Sequence, residues 1–135
     1  MKKLILLAAF AIIAQAGFSQ ATASSGKADV AVAVFENEIF DFGKITQGVP
    51  ATHKFIFTNK GKVAMVITNA QPSCGCTTPN WTKEPIPPGG QGFVEATYNA
   101  AGVGAFDKSI TVLSNVENGV VLLRIRGEVI PAKPQ

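Results

Sequence analysis

The chain has 135 residues, of which 47% are apolar and 16% are charged, and its formal net charge is +3. Lys2 and Lys3 lie in a segment that we expect to be removed, which leaves ten basic and nine acidic residues and a net charge of +1. Nucleic-acid binding requires a clustered positive field, and these lysines are scattered. The composition therefore predicts no nucleic-acid partner.

The first 21 residues have the three parts of a secretory signal peptide. Lys2 and Lys3 are followed by an apolar run over residues 4–13 and then by small residues that include Ser19 and Ala21. The run is shorter than the about 20 apolar residues of a spanning helix. We predict cleavage after Ala21, a periplasmic or extracellular location, and no membrane span in the mature protein.

Beyond the signal, apolar residues alternate with polar ones, and glycine, proline or asparagine interrupts the pattern about every ten residues, as is typical of strands and turns. We predict an N-terminal extension with the first strand over residues 22–35, one domain over residues 36–130, and a tail over residues 131–135. The predicted strands cover residues 30–35 with 38–42, then 51–59, 62–70, 93–98, 106–113 and 120–130. About seven short strands predict an all-β fold, an immunoglobulin-like antiparallel β-sandwich.

The phase of each strand predicts its inner face. Lys60-Gly61 is expected to be a hairpin turn between the strands over residues 51–59 and 62–70. The side chains on the apolar phase should form one core: Phe55, Phe57, Met65, Ile67, Val94, Ile110, Leu123 and Ile125.

The two cysteines, Cys74 and Cys76, are separated only by Gly75. In an oxidising compartment such a pair forms a disulfide, binds a soft metal such as copper(I) or zinc, or exchanges disulfides with a partner. A bridge this short cross-links little chain, so its stabilisation should be well below the about 3 kcal/mol of a 15-residue loop. Local rigidity of the connection is a better reason for a structural bond. Thiol–disulfide exchange and metal handling remain the alternatives.

A metal site needs further ligands, and the single histidine, His53, is the candidate. The predicted hairpin places His53 opposite Thr68, near the strand end that leads to Cys74, and so within about 10 Å of the cysteines. Cys74, Cys76 and His53 are therefore the candidate metal ligands.

No motif combines that histidine with a nucleophile and an orienting carboxylate, and Asp41-Phe42-Gly43 lacks the other motifs of a kinase. We predict no catalysis and no cofactor.

Several short motifs also occur in a characteristic order. They are Phe40-Asp41-Phe42-Gly43, the segment His53-Lys54-Phe55-Ile56-Phe57-Thr58-Asn59-Lys60-Gly61, Cys74-Gly75-Cys76-Thr77-Thr78-Pro79, Ile86-Pro87-Pro88-Gly89, Ser114-Asn115 and Arg126-Gly127. This order, over residues 36–130, resembles the bacterial domain-of-unknown-function family numbered 1573. That family is similar to PapD-like, sperm-protein-like and cilium-associated immunoglobulin-like domains. The resemblance implies an immunoglobulin-like fold and a binding or scaffolding role.

Two places are candidate contact surfaces. The last strand offers an outward row with Leu122, Arg124 and Arg126, which mixes apolar and charged side chains. Such a row beside an exposed strand edge would suit a partner strand. Trp81 is a large apolar residue in a connection that is otherwise rich in proline and polar residues. We predict an exported, non-catalytic binding or scaffolding module whose partner is a protein or a cell-envelope component.

Overall fold

The structure is a computed structural model that describes residues 29–134, so the predicted signal peptide lies outside the described residues. All regular elements in this part of the chain are strands, and no helix there could cross a membrane. The strands are β1 (Ala33–Phe35), β2 (Ile39–Thr46), β3 (Ala51–Asn59), β4 (Ile67–Pro72), β5 (Thr77–Trp81), β6 (Gln91–Tyr98), β7 (Gly104–Ser114) and β8 (Val120–Ile130).

The strands form two four-stranded sheets that pack face to face. One sheet has the order β1-β3-β6-β5 and the other has the order β2-β8-β7-β4. The pairs are antiparallel except for β2 and β8, which run parallel. The predicted all-β sandwich is confirmed, with eight strands instead of about seven.

The additional strand is β5, which lies in the connection predicted between the strands over residues 62–70 and 93–98. Proline has no N–H to donate to a neighbouring strand, so Pro79 argued against a strand there. The structure places β5 at the edge of its sheet, where proline is tolerated. Thr77 and Trp81 belong to residue types that are enriched in strands.

The core lies between the sheets, and all eight predicted core residues are buried in it. Phe55 and Phe57 from β3 and Leu123 and Ile125 from the opposite sheet belong to one continuous buried cluster. Each buried side chain of this size is worth about 1.5–3 kcal/mol relative to exposure. The strand phases read from the sequence are therefore confirmed.

The predicted hairpin at Lys60-Gly61 is wrong, because β3 and β4 belong to different sheets and the chain crosses between them here. Gly61 serves a close approach instead of a tight turn. A Cβ at Gly61 would overlap the backbone of Val30 and Ala31, which run alongside it. Local alternation identified both strands but not the sheet to which each one belongs.

Asn59 holds this crossing together from a fully buried position at the end of β3. Its Nδ2 donates to the carbonyls of Val63 (2.8 Å) and Ile86 (2.9 Å). Its Oδ1 accepts from the N–H groups of Gly61 (3.0 Å) and Val32 (3.3 Å). One side chain thus bonds four backbone groups in three parts of the chain, around residue 32, over residues 61–63 and at residue 86, and both donors and both acceptor positions of the amide are used.

Candidate functional site

The cysteines lie at the corner where the chain crosses from β4 to β5. Cys74 and Cys76 form a disulfide, with their Cα atoms 5.3 Å apart, and both residues are half-buried. The Asn99 N–H donates to the Cys76 carbonyl at 2.9 Å, which ties the corner to β6. The buried hydroxyl of Thr77 lies 3.8 Å from the Cys74 sulfur and 4.0 Å from the Cys76 sulfur. This geometry fits a bond that fixes the corner.

His53 does not join the cysteines. It pairs with Ala96 on β6, which in turn pairs with Pro79 on β5. Two strand spacings of about 4.8 Å, plus the three residues of about 3.3 Å between Pro79 and Cys76, separate the backbones of His53 and Cys76. The expected distance between His53 and the cysteines depended on the Lys60-Gly61 hairpin, which the structure lacks. The predicted proximity of His53 to the cysteines is therefore wrong.

Aromatic rings surround the imidazole instead. His53 stacks on Phe40 at a ring-centroid distance of 3.6 Å, and Phe55 meets it edge-on at 4.7 Å. Desolvation by burial lowers the pKa of His53 below its usual 6.5, because the rings cannot replace the water around a charged imidazolium. Within residues 29–134, no group of three or more His, Cys, Asp or Glu side chains is arranged to hold a metal ion.

The predicted outward row of β8 is confirmed. Leu122, Arg124 and Arg126 all point away from the core, and 54% of Leu122 is exposed. The structure adds the acidic partners that the sequence did not identify. Arg124 donates twice to Asp107 on β7, at 3.1 and 2.7 Å, and Arg126 Nε donates to Asp41 on β2 at 3.2 Å.

Ile39 on β2 is 53% exposed and lies beside Arg124 of β8, so it extends the same surface. We call this surface the charged-ladder face, formed by Ile39, Asp41, Asp107, Leu122, Arg124 and Arg126. It occupies the outer face of a sheet, because β8 lies between β2 and β7 and has no free edge. The expectation that the last strand offers an exposed edge is therefore wrong.

A shallow depression of about 500 Å³ lies at one end of the charged-ladder face. It forms where the register of β2 against β8 shifts between Asp41 and Lys44. Gly43 takes a positive φ of 66° in this bulge, and its carbonyl lies so close to Gly127 that a Cβ there would be 2.7 Å away. The Phe40-Asp41-Phe42-Gly43 and Arg126-Gly127 motifs, 85 residues apart, thus form one structural unit.

Trp81 belongs to a different surface. It lies on β5 in the other sheet, half-buried against the core, with the Lys83 ammonium 3.0 Å from its ring centroid. Such a cation–π contact stabilises the ring where it is. The structure therefore separates Trp81 from the other predicted contact residues and places it as a cover for the β5 side of the sandwich.

Solved structures similar to this chain share its fold at low sequence identity. A protein of unknown function from Porphyromonas gingivalis W83 has a TM-score of 0.66 and 16% identity, over 75% of this chain and 48% of that one. The ASH/PapD-like domain 7 of human CEP192 has a TM-score of 0.60 and 12% identity, over 77% and 89%. The secreted serine protease VesC of Vibrio cholerae has a TM-score of 0.55 and 17% identity, over 79% and 24%.

These likenesses show an immunoglobulin-like, PapD-like fold. The chain spans about half the length of the Porphyromonas protein and about a quarter of the Vibrio protein. No curated protein matches the chain in sequence. Residues 33–129 match the family model described as "Protein of unknown function (DUF1573)", and the chain therefore belongs to that family.

Proposed function

We propose that this protein is an exported, non-catalytic module that binds a protein or a cell-envelope component through the charged-ladder face. The observation that carries the proposal is that Arg124 has two half-exposed apolar neighbours, Leu122 on its own strand and Ile39 on β2, with Arg126 next in the same outward row. Arginine is enriched at protein interfaces, and it is among the residue types that contribute most to binding. The segment over residues 1–21 supports export to the periplasm or the cell exterior.

The ion pairs favour binding through preorganisation. Asp107 holds the Arg124 guanidinium through two hydrogen bonds, so this side chain has already lost part of its rotamer freedom before a partner arrives. The exposed pair itself adds little stability to the fold. An arrangement that contributes little to folding but orients cations beside apolar groups is consistent with a contact surface.

Site-specific photo-crosslinking in the native cell tests this proposal. Benzoylphenylalanine replaces Leu122 on the proposed surface, and a matched variant carries it at Lys54, which is exposed on a central strand of the other sheet. We expect a discrete adduct with another molecule from position 122 only, and we expect Arg124→Glu to abolish it. The same adducts from both positions, or none from either, would contradict the proposal.

A second candidate function is thiol–disulfide exchange, favoured by the position of the Cys74–Cys76 disulfide in a connection instead of the core. A thiolate of a partner dithiol would attack one sulfur, form a mixed disulfide and release the other cysteine as a thiolate; the second partner thiol would then resolve it. Maleimide labelling of protein from its native compartment separates this from a structural bond. A structural bond gives no labelling, whereas exchange gives labelled cysteines. In a Cys76→Ser variant the Cys74 thiolate would attack the disulfide form of the partner and release one partner thiolate, and the mixed disulfide would accumulate because Cys76 is no longer present to resolve it.

Metal handling by the reduced cysteines is tested in the same preparation. Reduced protein is titrated with zinc and with copper(I), and the Cys74→Ser/Cys76→Ser variant serves as the control. Tight binding that the variant lacks would support a thiolate site. Equal binding by both proteins would exclude a site at these cysteines.

A further inference from the structure

The four edge strands of the sandwich differ in their capacity to accept another strand. The edges are β1 and β5 in one sheet and β2 and β4 in the other. In a strand at a sheet edge, alternate residues hydrogen-bond to the neighbouring strand, and the residues between them turn their N–H and C=O groups outward. The bonds at the strand ends therefore identify the groups left on each free edge.

The edge of β5 offers few free hydrogen-bond donors to another strand. The Thr82 N–H donates to the Phe93 carbonyl at 3.1 Å, so residues of even number face β6, whereas Thr77, Pro79 and Trp81 face outward. Pro79 has no N–H, and the N–H of Thr77 donates to the Cys74 carbonyl at 3.4 Å. Only one of three outward positions keeps a free donor.

The edge of β4, on the same side of the sandwich, also offers few free hydrogen-bond donors. The Ser73 N–H donates to the Ser109 carbonyl at 2.8 Å, so Ala70 and Pro72 face outward. The N–H of Ala70 donates to its neighbour Asn69 through Oδ1 at 2.9 Å, and Pro72 has none. Proline and local side-chain caps thus remove the donors that a further strand would need.

The edge of β2 keeps backbone groups that could bond another strand. The Arg124 N–H donates to the Glu38 carbonyl at 2.8 Å, so Glu38 and Phe40 face β8, whereas Ile39 and Asp41 turn their backbone groups outward. β2 has eight residues and no proline, whereas β1 has only three residues. Among residues 29–134, β2 is therefore the longest edge without proline, and its local features are the bulge between Asp41 and Lys44 and the Gly43 N–H, which donates to Asp41 Oδ1 at 2.7 Å.

We propose that β2 pairs antiparallel with β2 of a second copy of this chain. The bulge between Asp41 and Lys44 limits the choice, because a regular strand would lose its match across the shifted register. A second copy carries the same bulge. When the two bulges face each other across a two-fold axis, Asp41 lies opposite Lys44 of the other copy, and the pair occurs twice.

The side chains of β2 complement themselves in this register. On the outer face, Asp41 meets Lys44, and Lys44 has no ion pair within residues 29–134. On the inner face, the half-buried Phe40 and Ile45 come opposite each other and gain cover. Placing Asp41 opposite Asp41, or Lys44 opposite Lys44, would instead set like charges across the pair, which destabilises it.

Pairing through one edge buries less surface than a stable dimer interface requires, so the association is reversible and depends on concentration. Sedimentation velocity over a range of concentrations, with the mature chain at low salt, measures it directly. We expect the sedimenting mass to rise with protein concentration from that of one chain to that of two. Lys44→Asp and Asp41→Lys should each reduce the association constant at least tenfold, whereas Lys62→Asp, the same charge change away from β2, should leave it unchanged.

Mixing Lys44→Asp with Asp41→Lys gives the decisive result. Each variant alone sets like charges opposite each other, but the mixed dimer restores both opposite-charge pairs, so an equimolar mixture should associate as the unmodified protein does. Circular dichroism confirms that each variant is folded. A monomer at all concentrations, or equal loss in Lys44→Asp and Lys62→Asp, would overturn the proposal. Lys44 lies outside the charged-ladder face, so the result with Lys44→Asp separates self-pairing from partner binding at that face.

Discussion

Asn59 and Arg124 are both polar side chains held by several hydrogen bonds, but they lie in opposite environments. Asn59 is fully buried and bonds four backbone groups, whereas Arg124 is exposed on the outer face of a sheet. A buried polar group is costly when it loses its partners, whereas an exposed one returns to water at little cost. Polar residues of this domain therefore serve stability at the sheet crossing and remain available for contacts on the charged-ladder face.

The largest effect should come from Asn59→Ala. The substitution leaves the carbonyl of Val63 and the N–H groups of Gly61 and Val32 without their partner inside the fold, whereas the Ile86 carbonyl keeps the Met65 N–H at 2.8 Å. Each unsatisfied buried group costs about 1–3 kcal/mol, so we expect a loss of at least about 3 kcal/mol in the free energy of unfolding. Urea denaturation measures it. A loss below 1 kcal/mol would show that water replaces the amide and that the crossing does not depend on Asn59.

An intermediate effect is expected at the corner between β4 and β5. Cys74→Ser/Cys76→Ser opens a three-residue loop, for which the chain-entropy relation gives about 1.6 kcal/mol. We expect a loss near this value, with Ser73→Ala as a control for the hydrogen bond that this corner makes to Ser109. A loss as large as that of Asn59→Ala would mean that the disulfide organises both sheets and not the corner alone.

A smaller effect, visible only at acidic pH, should come from His53. Its pKa is lowered in the folded protein because burial desolvates it. Above pH 6.5 both states are neutral and stability is complete; as the pH falls below 6.5 the unfolded state binds the proton first, so stability decreases until the folded pKa is reached. His53→Phe keeps an aromatic ring next to Phe40 and removes the titration.

The difference between His53→Phe and the unmodified protein, measured by urea denaturation from pH 7.5 to 5, isolates this histidine from the carboxylates. We expect the unmodified protein to lose more stability over that interval. Parallel pH curves for the two proteins would show that the imidazole keeps contact with water in the folded state.

The sequence predicted what depends on local alternation. The bounds of β3 and β8 and the inner phase of every predicted core residue agree with the structure. It did not predict which strands pair, because alternation is the same in either sheet. Hence the Lys60-Gly61 hairpin was wrong, and β5 was missed within a connection that is rich in proline and polar residues.

Prediction of the candidate site was limited for the same reason, because the sequence does not show which strands pair. The outward phase of Arg124 and Arg126 followed from β8 alone, but their partners Asp107 and Asp41 depend on two registers, one of them a parallel pairing across 85 residues. The distance from His53 to Cys76 also depended on strand pairing. Residues that act through their own strand could be identified, and those that act through a neighbouring strand could not.

The smallest effect on folding should come from Arg124→Ala, and this substitution sharpens the contrast with Asn59 most directly. About half of each side chain in the Arg124–Asp107 pair is exposed, so water screens the charges and compensates for the lost hydrogen bonds. We expect a change of less than about 1 kcal/mol in the free energy of unfolding, together with loss of the photo-crosslink from position 122. If the free energy of unfolding fell as far as in Asn59→Ala, the charged-ladder face would be needed for the stability of the fold. Its arginines would then need no partner molecule to explain them.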